Sequence, residues 1–313
     1  MLDRFGRNIN NMRISVTRQC NLDCFYCHHE GDPQKEREPD NILMAPSEIE
    51  KIAEIGSSVG MEKLKITGGE PLLRNDIVDI IGRVAGHMKE VSMTTNGTLL
   101  RRYAHDLRQA GLSRVNVSFD AFNHETFERI TGKDLFDELK TGVAAAKEAG
   151  LSPIKLNMVV LKSVNHRDID VAVEYASSVG AILQLIEFET TKEGSANGPF
   201  TRYHYDLGNV EDRLNKVACD VSRRHMHNRK KYILSSQNNG HAEIEIVRGM
   251  HNSEFCCNCT RLRVTASGQL KPCLLREDNY LDIITPIRNG AADDELEAIF
   301  TQAVHLKEPY WRS

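Results

Sequence analysis

Residues 12–27, MRISVTRQCNLDCFYC, join a strand pattern directly to a group of cysteines. Polar and apolar side chains alternate over Met12–Thr17, which is the period of a β-strand with one polar and one apolar face. Three cysteines follow with the spacing C-x3-C-x2-C: Cys20, Cys24 and Cys27. The stretch therefore predicts a strand that presents three thiolates in the loop at its carboxyl end.

Thiolates are the usual ligands of iron–sulfur clusters. Three of them on one loop hold three irons of a cubane and leave the fourth iron without a protein ligand, which is the open position that catalysis at a metal needs. The alternative is a structural zinc site, for which His28 or His29 could supply the fourth ligand. Because active sites lie at the carboxyl ends of barrel strands, the position of the loop favours the catalytic cluster.

Strand patterns and helix patterns alternate along the first two thirds of the chain. The strands are predicted at Met12–Thr17, Lys63–Thr67, Glu90–Thr95, Arg114–Asp120, Pro153–Leu161 and Ile182–Phe188. The helices between them are predicted at Ser47–Val59, Asp76–Met88, Arg101–Ala110, Leu135–Ala149 and Asp168–Val179. Such an alternation gives right-handed βαβ units and a parallel sheet. Six units, without the signals for two more, predict an α/β fold of the incomplete (β/α)6 TIM-like barrel type.

The pattern changes to short strands in the last third of the chain. These are predicted at Tyr232–Ser235, Glu243–Arg248 and Arg261–Thr265, with a turn at Ser267–Gly268. We therefore expect a partial barrel over residues 1–204 and a β-rich C-terminal extension over residues 205–313.

Four of the predicted strands are polar on one face, although parallel strands covered by helices are normally apolar on both. The polar positions are Arg13, Ser15 and Thr17; Lys63, Lys65 and Thr67; Asn116, Ser118 and Asp120; and Lys155 and Asn157. Because the apolar positions between them would pack under the helices, the polar set predicts an inward-facing, partly cationic lumen. The alternative is that these are edge strands whose polar faces meet water.

The composition argues against several classes of protein. The net charge of −4 gives no general attraction to nucleic acid or to an anionic membrane. The N-terminal residues MLDRFGRNIN carry charges where a signal peptide needs an apolar core, and no stretch approaches the roughly 18 apolar residues of a membrane span. We expect a cytoplasmic protein whose reduced cysteines serve as metal ligands.

Seven of the eight cysteines fall in two groups, and Cys219 stands alone. We expect Cys219 to be a small buried side chain within a helix. The run from Arg223 to Lys231 is rich in Arg, Lys and His, and the acidic balance elsewhere favours a solvated charged face over a nucleic-acid or triphosphate site. His227, within that run, is expected to be exposed.

The second cysteine group reads CCNC at residues 256–259, and Cys273 follows after thirteen residues. Without Cys257 the spacing is C-x2-C-x13-C, and three ligands of this kind predict a second cluster with one open iron. The ligands are then Cys256, Cys259 and Cys273. A zinc ribbon that uses Cys257 or His251 as its fourth ligand is the alternative.

Two arginines, Arg261 and Arg263, lie between the halves of this group. Guanidinium groups bind phosphate in a bidentate manner. Their position predicts that the second cluster faces an anionic substrate.

The second predicted strand ends in the turn Gly68-Gly69-Glu70-Pro71, where glycines let the backbone approach a ligand closely. Together with the C-x3-C-x2-C loop, this turn resembles the radical S-adenosylmethionine (SAM) superfamily. The resemblance implies that SAM binds the open iron of the first cluster and is split into methionine and a 5′-deoxyadenosyl radical, which takes hydrogen from the substrate. It also implies SAM contacts at Tyr26, Gly69 and Ser118, with Glu189 where the family often has a Met near the adenine.

Further segments narrow the resemblance to the family of GTP 3′,8-cyclases (MoaA), which begin molybdopterin biosynthesis. They are Asp3–Arg7, Thr94–Gly97, Asn116–Asp120 and FC-x2-C-x-R-x-R over residues 255–263. The resemblance implies a lyase with two 4Fe–4S clusters, the second of which binds the guanine of GTP. The implied GTP contacts are Arg13, Lys65, Thr94, Lys155, Arg261, Leu262 and Arg263.

The implied reaction removes the ribose 3′ hydrogen of GTP and joins C3′ to C8 of guanine, which yields (8S)-3′,8-cyclo-7,8-dihydroguanosine 5′-triphosphate. The implied partners are a flavodoxin- or ferredoxin-like electron donor and the downstream cyclic pyranopterin monophosphate synthase, and a homodimer is compatible with the resemblance. One departure concerns a Gly-Gly tail that reaches the active site in the family, because this sequence ends in EPYWRS at Glu308–Ser313.

Two other functions stay open from the residues alone. Another radical SAM enzyme with an auxiliary cluster, such as a peptide-modifying one, would not need the Arg and Lys set described for GTP. A zinc-stabilised nucleic-acid-binding module predicts colourless protein and strongly salt-dependent binding.

Overall fold

The polar strand faces belong to one mixed sheet of twelve strands in a computed structural model that describes residues 1–29, 43–192, 194–196, 198–224, 226–235 and 241–311. The strands are β1 Asn11–Ser15, β2 Lys63–Thr67, β3 Glu90–Thr95, β4 Arg114–Ser118, β5 Lys155–Val160, β6 Ile182–Glu187, β7 Asp220–Arg223, β8 Lys230–Ser235, β9 His241–Val247, β10 Arg261–Val264, β11 Gln269–Lys271 and β12 Leu281–Asp282. All six predicted parallel strands are present, with ends that differ by no more than two residues.

The order of the strands shows how the C-terminal third joins the sheet. It is β12-β11-β10-β1-β2-β3-β4-β5-β6-β9-β8-β7. Strand β9 pairs in parallel with β6, and β10 pairs in parallel with β1, whereas the outer strands pair antiparallel. The C-terminal third therefore adds strands to both edges of the central sheet. The predicted domain boundary between residues 204 and 205 stays a prediction.

The described helices are α1 Pro46–Ser58, α2 Ile77–Ala85, α3 Leu100–Gln109, α4 His124–Thr131, α5 Phe136–Glu148, α6 Ile169–Val179, α7 Pro199–Tyr203, α8 Gly208–Val217, α9 Ser253–Cys257, α10 Ile284–Arg288 and α11 Asp293–His305. The five predicted helices correspond to α1, α2, α3, α5 and α6. Sequence analysis missed α4, although the Asn123 side chain caps its first turn and Gly132 ends it at φ 76°. None of the described helices is long and apolar enough to span a membrane.

The two faces of the central strands differ as the alternation predicts. Ile14, Leu64, Val117 and Leu156 are at most 1% exposed and belong to the hydrophobic core. The polar side chains between them face a cleft on the other side of the sheet, so the water-facing edge alternative is wrong for these strands. The exceptions are Lys63, which is exposed at the start of β2, and Ser15 and Thr17, which are buried but do not line the cleft.

Two predictions about the C-terminal third are wrong. Cys219 is exposed in the loop between α8 and β7, where its thiol donates to the carbonyl of Ile233 at 3.1 Å. His227 is buried at 5% exposure, because the turn at Met226–Asn228 packs against α9 instead of facing water.

Candidate active site

The polar strand faces line a cleft of about 380 Å³, a size typical of small-molecule sites. Both cysteine groups border this cleft although they are far apart in the sequence. The cysteines that line it are Cys20, Cys24, Cys27, Cys256, Cys259 and Cys273. Cys257 is exposed and lies outside this lining.

The first cysteine loop is held by backbone hydrogen bonds to the end of α4. The amides of Asp23 and Phe25 donate to the carbonyls of Thr131 and Ile130 at 2.8 Å and 3.2 Å. Within the loop, the amide of Cys27 donates to the carbonyl of Cys24 at 2.9 Å. Helix α4, which sequence analysis missed, is therefore the element that positions this loop.

Backbone amides also point at the thiols of this loop. The amide of Leu22 donates to Cys20 Sγ at 3.5 Å, and that of His29 donates to Cys27 Sγ at 3.4 Å. Amide donors of this kind stabilise the thiolate charge and tune an iron–sulfur cluster. The chemistry of the donor set thus fits a cluster, and these three cysteines would hold it.

The glycines of the GGEP turn have a packing role that sequence analysis did not assign to them. A Cβ at Gly69 would lie 2.2 Å from the carbonyl oxygen of Gln19, so only glycine fits there. The amides of Gly69 and Glu70 donate to the carbonyls of Thr17 and Gln19 at 2.8 Å and 2.7 Å. The turn therefore packs against the residues that lead into Cys20, while Gly69 itself also lines the cleft.

Glu70 is a fully buried carboxylate that organises the next loop. It accepts hydrogen bonds from the amides of Leu72 and Asn96 at 3.0 Å and 2.7 Å and from the hydroxyl of Thr95 at 2.8 Å. The Asn96 side chain reaches Cys20 Sγ at 3.9 Å. Burial raises the pKa of Glu70 to about 7. Glu70 thus connects the GGEP turn to the first cysteine loop through Asn96.

Tyr26 and Asp120 form a second buried support for the same loop. The Tyr26 hydroxyl donates to the Asp120 carboxylate, which also accepts from the amide of Val159 at 2.7 Å. Burial raises the pKa of Asp120 to about 6. Asp120 therefore fixes Tyr26 in place, and Ser118 lines the cleft beside them.

The second cysteine group lies at the end of α9 and after β11. Asn252 caps α9 by accepting from the amide of Phe255 at 3.0 Å. The side chain of Arg7 donates to the carbonyl of Cys256 at 2.8 Å, and the amide of Trp311 donates to Cys256 Sγ at 3.4 Å. N-terminal and C-terminal residues thus converge on this group.

Cations surround the second group. Lys307 is 2% exposed and donates to the carbonyl of Pro272, next to Cys273, at 2.7 Å. Burial alone would raise the pKa of the Cys259 thiol, but Lys307, His227 and Arg261 hold it well below its usual range. This environment favours negative charge at the thiols and beside them.

Three further cations stand side by side across neighbouring strands. Arg263 on β10, Arg13 on β1 and Lys65 on β2 occupy equivalent positions in the strand register. Adjacent strands are only about 4.8 Å apart, so these charges repel one another. Burial, together with Arg114 and Arg13, lowers the pKa of Lys65 well below its usual range.

Hydrogen bonds to neutral side chains help to hold Lys65 and Arg13 in the cleft. Lys65 Nζ donates to Asn116 Oδ1 at 2.7 Å. One Arg13 Nη donates to the hydroxyls of Thr67 and Thr94 at 3.4 Å and 3.3 Å. Burial and the neighbouring Arg263 and Arg13 lower the pKa of Arg261 to about 9.

Lys155 has a different environment, because a carboxylate accompanies it. Lys155 Nζ lies 2.7 Å from both carboxylate oxygens of Glu245, which is fully buried on β9. Arg224 lies 2.8 Å and Arg229 3.8 Å from the same carboxylate. Arg224 and Arg229, from the run predicted to be a solvated face, thus form ion pairs with the buried Glu245, which sequence analysis missed.

The structure brings the predicted site residues together around the cleft, with one exception. The side chain of Leu262 lies in the hydrophobic core at 0% exposure, because neighbouring positions on a strand point to opposite faces. Only the backbone of Leu262 is therefore in a position to contact a ligand. The lining residues that sequence analysis missed include Arg7, Arg114, Arg229, His227, Lys307 and Trp311.

Glu189 lines the cleft on the side of the arginines. A Cβ at Gly249 would lie 2.1 Å from Glu189 Oε1, so the missing side chain of Gly249 makes room for the carboxylate. Burial raises the pKa of Glu189, although Arg263, Arg261 and Arg13 oppose the shift. Its predicted contact with SAM stays a prediction.

The described residues contain no group of three His, Cys, Asp or Glu side chains arranged to hold one metal ion. In a cubane, by comparison, each thiolate binds its own iron.

Two family models together span most of the chain. Residues 14–176 match the Radical SAM superfamily, and residues 181–313 match Molybdenum Cofactor Synthesis C. A protein named probable GTP 3′,8-cyclase from Pyrococcus abyssi (strain GE5 / Orsay) is 46% identical over 311 residues, which are 99% of each chain. A protein of the same name from Methanocaldococcus jannaschii is 43% identical over 100% of this chain and 99% of its own.

Solved structures show the same fold at low sequence identity. The crystal structure of Streptococcus suis SuiB bound to precursor peptide SuiA has a TM-score of 0.60 and 16% identity. The match covers 85% of this chain and 60% of SuiB, so the chain spans less than two thirds of that protein. Native anSMEcpe with bound AdoMet gives a TM-score of 0.56 at 17% identity, over 86% of this chain and 76% of its own. These similarities concern the fold alone.

Proposed function

This chain belongs to the radical SAM superfamily and, within it, to the family of the GTP 3′,8-cyclases, and we propose that it cyclises GTP in the cleft between its two cysteine groups. The reaction joins C3′ to C8 of the nucleotide and is the first step of molybdenum cofactor biosynthesis.

The row of cations across β10, β1 and β2 is the observation that supports this substrate best. Arg263, Arg13 and Lys65 stand at one register position on adjacent strands. Burial and the neighbouring cations Arg114 and Arg13 lower the pKa of Lys65 well below its usual range, as expected for like charges that repel one another. A triphosphate relieves that repulsion and accepts bidentate hydrogen bonds from the guanidinium groups. A peptide substrate would not supply such a concentration of negative charge.

We assign the two cysteine groups different tasks. Cys20, Cys24 and Cys27 would hold a 4Fe–4S cluster that, once SAM is bound, supplies the electron for SAM cleavage and so a 5′-deoxyadenosyl radical. Tyr26, Gly69, Ser118 and Glu189 would line the SAM site, and the Tyr26–Asp120 hydrogen bond would keep that wall rigid.

Cys256, Cys259 and Cys273 would hold a second 4Fe–4S cluster on the substrate side. Arg261 and Arg263 directly follow this group on β10, while Arg13, Lys65, Thr94 and Lys155 face it from the other strands. These residues would bind the triphosphate and orient the ribose, and the buried site would exclude water from the radical.

The hydrogen bonds within the cleft support an incomplete barrel. Lys65 on β2 reaches Asn116 on β4, and Lys155 on β5 reaches Glu245 on β9, so each pair skips an intervening strand. A concave sheet favours contacts of this kind, because it brings the ends of such side chains closer together. We propose that the strands β1 to β6 curve around the substrate, with residues 205–313 supplying the second cluster.

We further propose that the enzyme works in the cytoplasm. A flavodoxin- or ferredoxin-like donor would reduce the first cluster, and cyclic pyranopterin monophosphate synthase would take up the product.

The content of metal tests the proposal. Anaerobically purified protein should contain about eight irons and eight sulfides per chain, as two 4Fe–4S clusters require. It should bind GTP more tightly than GMP, because the cations face the phosphates. Protein that contains zinc and no iron, or that binds the two nucleotides equally, contradicts the proposal.

A further inference from the structure

His227 is buried beside the second cysteine group, within a run of charged residues. Its backbone has φ 63°, in the left-handed region that residues other than glycine rarely adopt, and Asn228 follows at φ 49°. The amide of His227 donates to the carbonyl of Asn258 at 2.8 Å. The Asn228 side chain donates to Glu254 on α9. Both contacts fasten the turn at Met226–Asn228 to the segment that carries Cys256 and Cys259.

The imidazole ring is held in one orientation. It stacks on the ring of Phe255, with centroids 3.8 Å apart and planes inclined by 21°. The His227 side chain lies within hydrogen-bonding reach of the Cys259 thiol, and Nδ1 has no hydrogen-bond partner among the described residues. The nitrogen that faces Cys259 is therefore Nε2.

The imidazole can act as a hydrogen-bond donor toward the sulfur. A neutral imidazole carries one N–H, and Nε2–H is the tautomer that can donate to the sulfur. Hydrogen bonds to ligand sulfurs withdraw charge from an iron–sulfur cluster and raise its reduction potential.

We propose that His227 is a positioning residue of the second cluster, whose Nε2–H donates to Cys259 Sγ and raises the reduction potential of that cluster. The inference rests on the proposed function, because it requires a cluster on Cys256, Cys259 and Cys273. The strained backbone and the stacked ring fix the donor before the cluster or the substrate binds. His227 acts through Cys259 and needs no contact with GTP.

The test uses full-length protein in which Cys20, Cys24 and Cys27 are changed to Ala, so that any cluster signal comes from the second group. In this background, His227→Phe keeps a ring to stack on Phe255 but removes the donor, and His227→Gln keeps an N–H. Redox titration followed by electron paramagnetic resonance should give a lower midpoint potential for the Phe variant. The Gln variant should lie closer to the parent.

The matched control is Phe255→Leu, which removes the stacking partner and keeps the imidazole. A purely structural role predicts that Phe255→Leu and His227→Phe shift the potential alike, whereas our proposal predicts a shift mainly in the latter. An unchanged potential in His227→Phe with normal iron content overturns the proposal. A parent that binds no iron contradicts the proposed function instead.

A measurement without any substitution at His227 covers the case in which the Phe variant loses its cluster. Parent protein labelled with [15N]histidine should show a hyperfine coupling between the reduced second cluster and a histidine nitrogen. The absence of this coupling in protein of full iron content overturns the proposal.

Discussion

The two cysteine groups offer the same number of thiols to one cleft but in opposite electrostatic surroundings. The first group lies near carboxylates, and burial and Asp120 raise the pKa of Cys24 above its usual range. The second group lies among Lys307, His227 and Arg261, which hold the pKa of Cys259 well below its usual range. Two groups of three thiols can therefore suit different bound molecules. The first environment suits SAM, which carries a positive sulfonium, and the second suits an anionic nucleotide.

The two groups also differ in their access to solvent. Cys20 and Cys27 are exposed, whereas Cys256, Cys259 and Cys273 are partly covered, in part by the segment Lys307–Trp311. An electron donor can therefore approach the first group more closely. We propose that electrons enter at the first group and that the substrate binds at the second.

Removing either group of thiols should have the largest effect on activity and should separate the tasks of the two groups. We expect Cys20, Cys24 and Cys27 changed to Ala to abolish SAM cleavage. The corresponding change of Cys256, Cys259 and Cys273 should abolish GTP cyclisation but leave reductive SAM cleavage measurable. Detection of 5′-deoxyadenosine and of the cyclised nucleotide by mass spectrometry separates the two. Loss of SAM cleavage in the second variant at full first-cluster content would contradict the division of tasks.

Changing Arg261 and Arg263 together to Ala should have the next largest effect. Each charge-assisted hydrogen bond contributes about 1.5–3 kcal/mol, so GTP affinity should fall by roughly 100-fold or more. SAM cleavage should continue, because these arginines lie on the substrate side. Arg288→Ala is the matched control, since Arg288 is an exposed arginine paired with Glu48 at 2.7 Å. Equal GTP affinity in the double variant and the control would contradict the role of Arg261 and Arg263 in GTP binding.

The binding of GTP should take up protons. Burial lowers the pKa of Lys155 to about 8, and burial together with neighbouring like charges lowers the pKa of Lys65 well below its usual range. A bound triphosphate favours the charged amines, so affinity should fall up to about tenfold per pH unit as the pH rises through about 8.

Calorimetry in buffers of different ionisation enthalpy measures this proton uptake directly. Lys65→Met should reduce it, while Lys63→Met, on the same strand but exposed, should not. Equal uptake in the two variants contradicts the role given to Lys65.

Glu70→Gln should have the smallest effect, confined to the first group. An amide carries two donor hydrogens where the protonated acid carries one, so it would turn an additional N–H toward the three donors. This costs about 1–3 kcal/mol and lowers the thermal midpoint by several degrees. Burial raises the pKa of Glu70 to about 7, so its protonation stabilises the fold below an unfolded pKa of about 4.5, and this contribution is lost as the pH rises through about 7.

The loss of stability in the Glu70→Gln variant relative to the parent should therefore be largest at low pH and should become smaller at high pH. Thermal unfolding at several pH values measures this loss. Glu54→Gln, on the exposed side of α1, is the control. A deficit that is independent of pH argues against a buried, protonated Glu70.

The central sheet could be predicted from the sequence because each strand and helix is marked by a pattern within a short segment. The repeated alternation of strand and helix patterns predicted β1 to β6, and cysteine spacing singled out the two cysteine groups that border the cleft. What sequence analysis missed depends on contacts between distant residues. The sequence predicted an exposed His227 because its neighbours in the chain are charged. In the fold, the His227 ring packs against Phe255 of α9. Lys155 meets Glu245, 90 residues away, only because β9 pairs with β6.

Leu262 shows a different limit. The family resemblance named it as a contact beside Arg261 and Arg263, but strand alternation turns its side chain into the core. The period of β10, read from the sequence, carried that information already. Helix α4 was similarly marked by Asn123 and Gly132, and these capping signals would have located the support of the first cysteine loop.

The central claim is that GTP binds at the second cysteine group and SAM at the first. The most direct test is the electron paramagnetic resonance spectrum of reduced protein with Cys20, Cys24 and Cys27 changed to Ala, recorded before and after addition of GTP or of SAM. We predict that GTP changes the signal of the remaining cluster and that SAM leaves it unaltered. A cluster signal that does not respond to GTP, or that responds to SAM instead, contradicts the account.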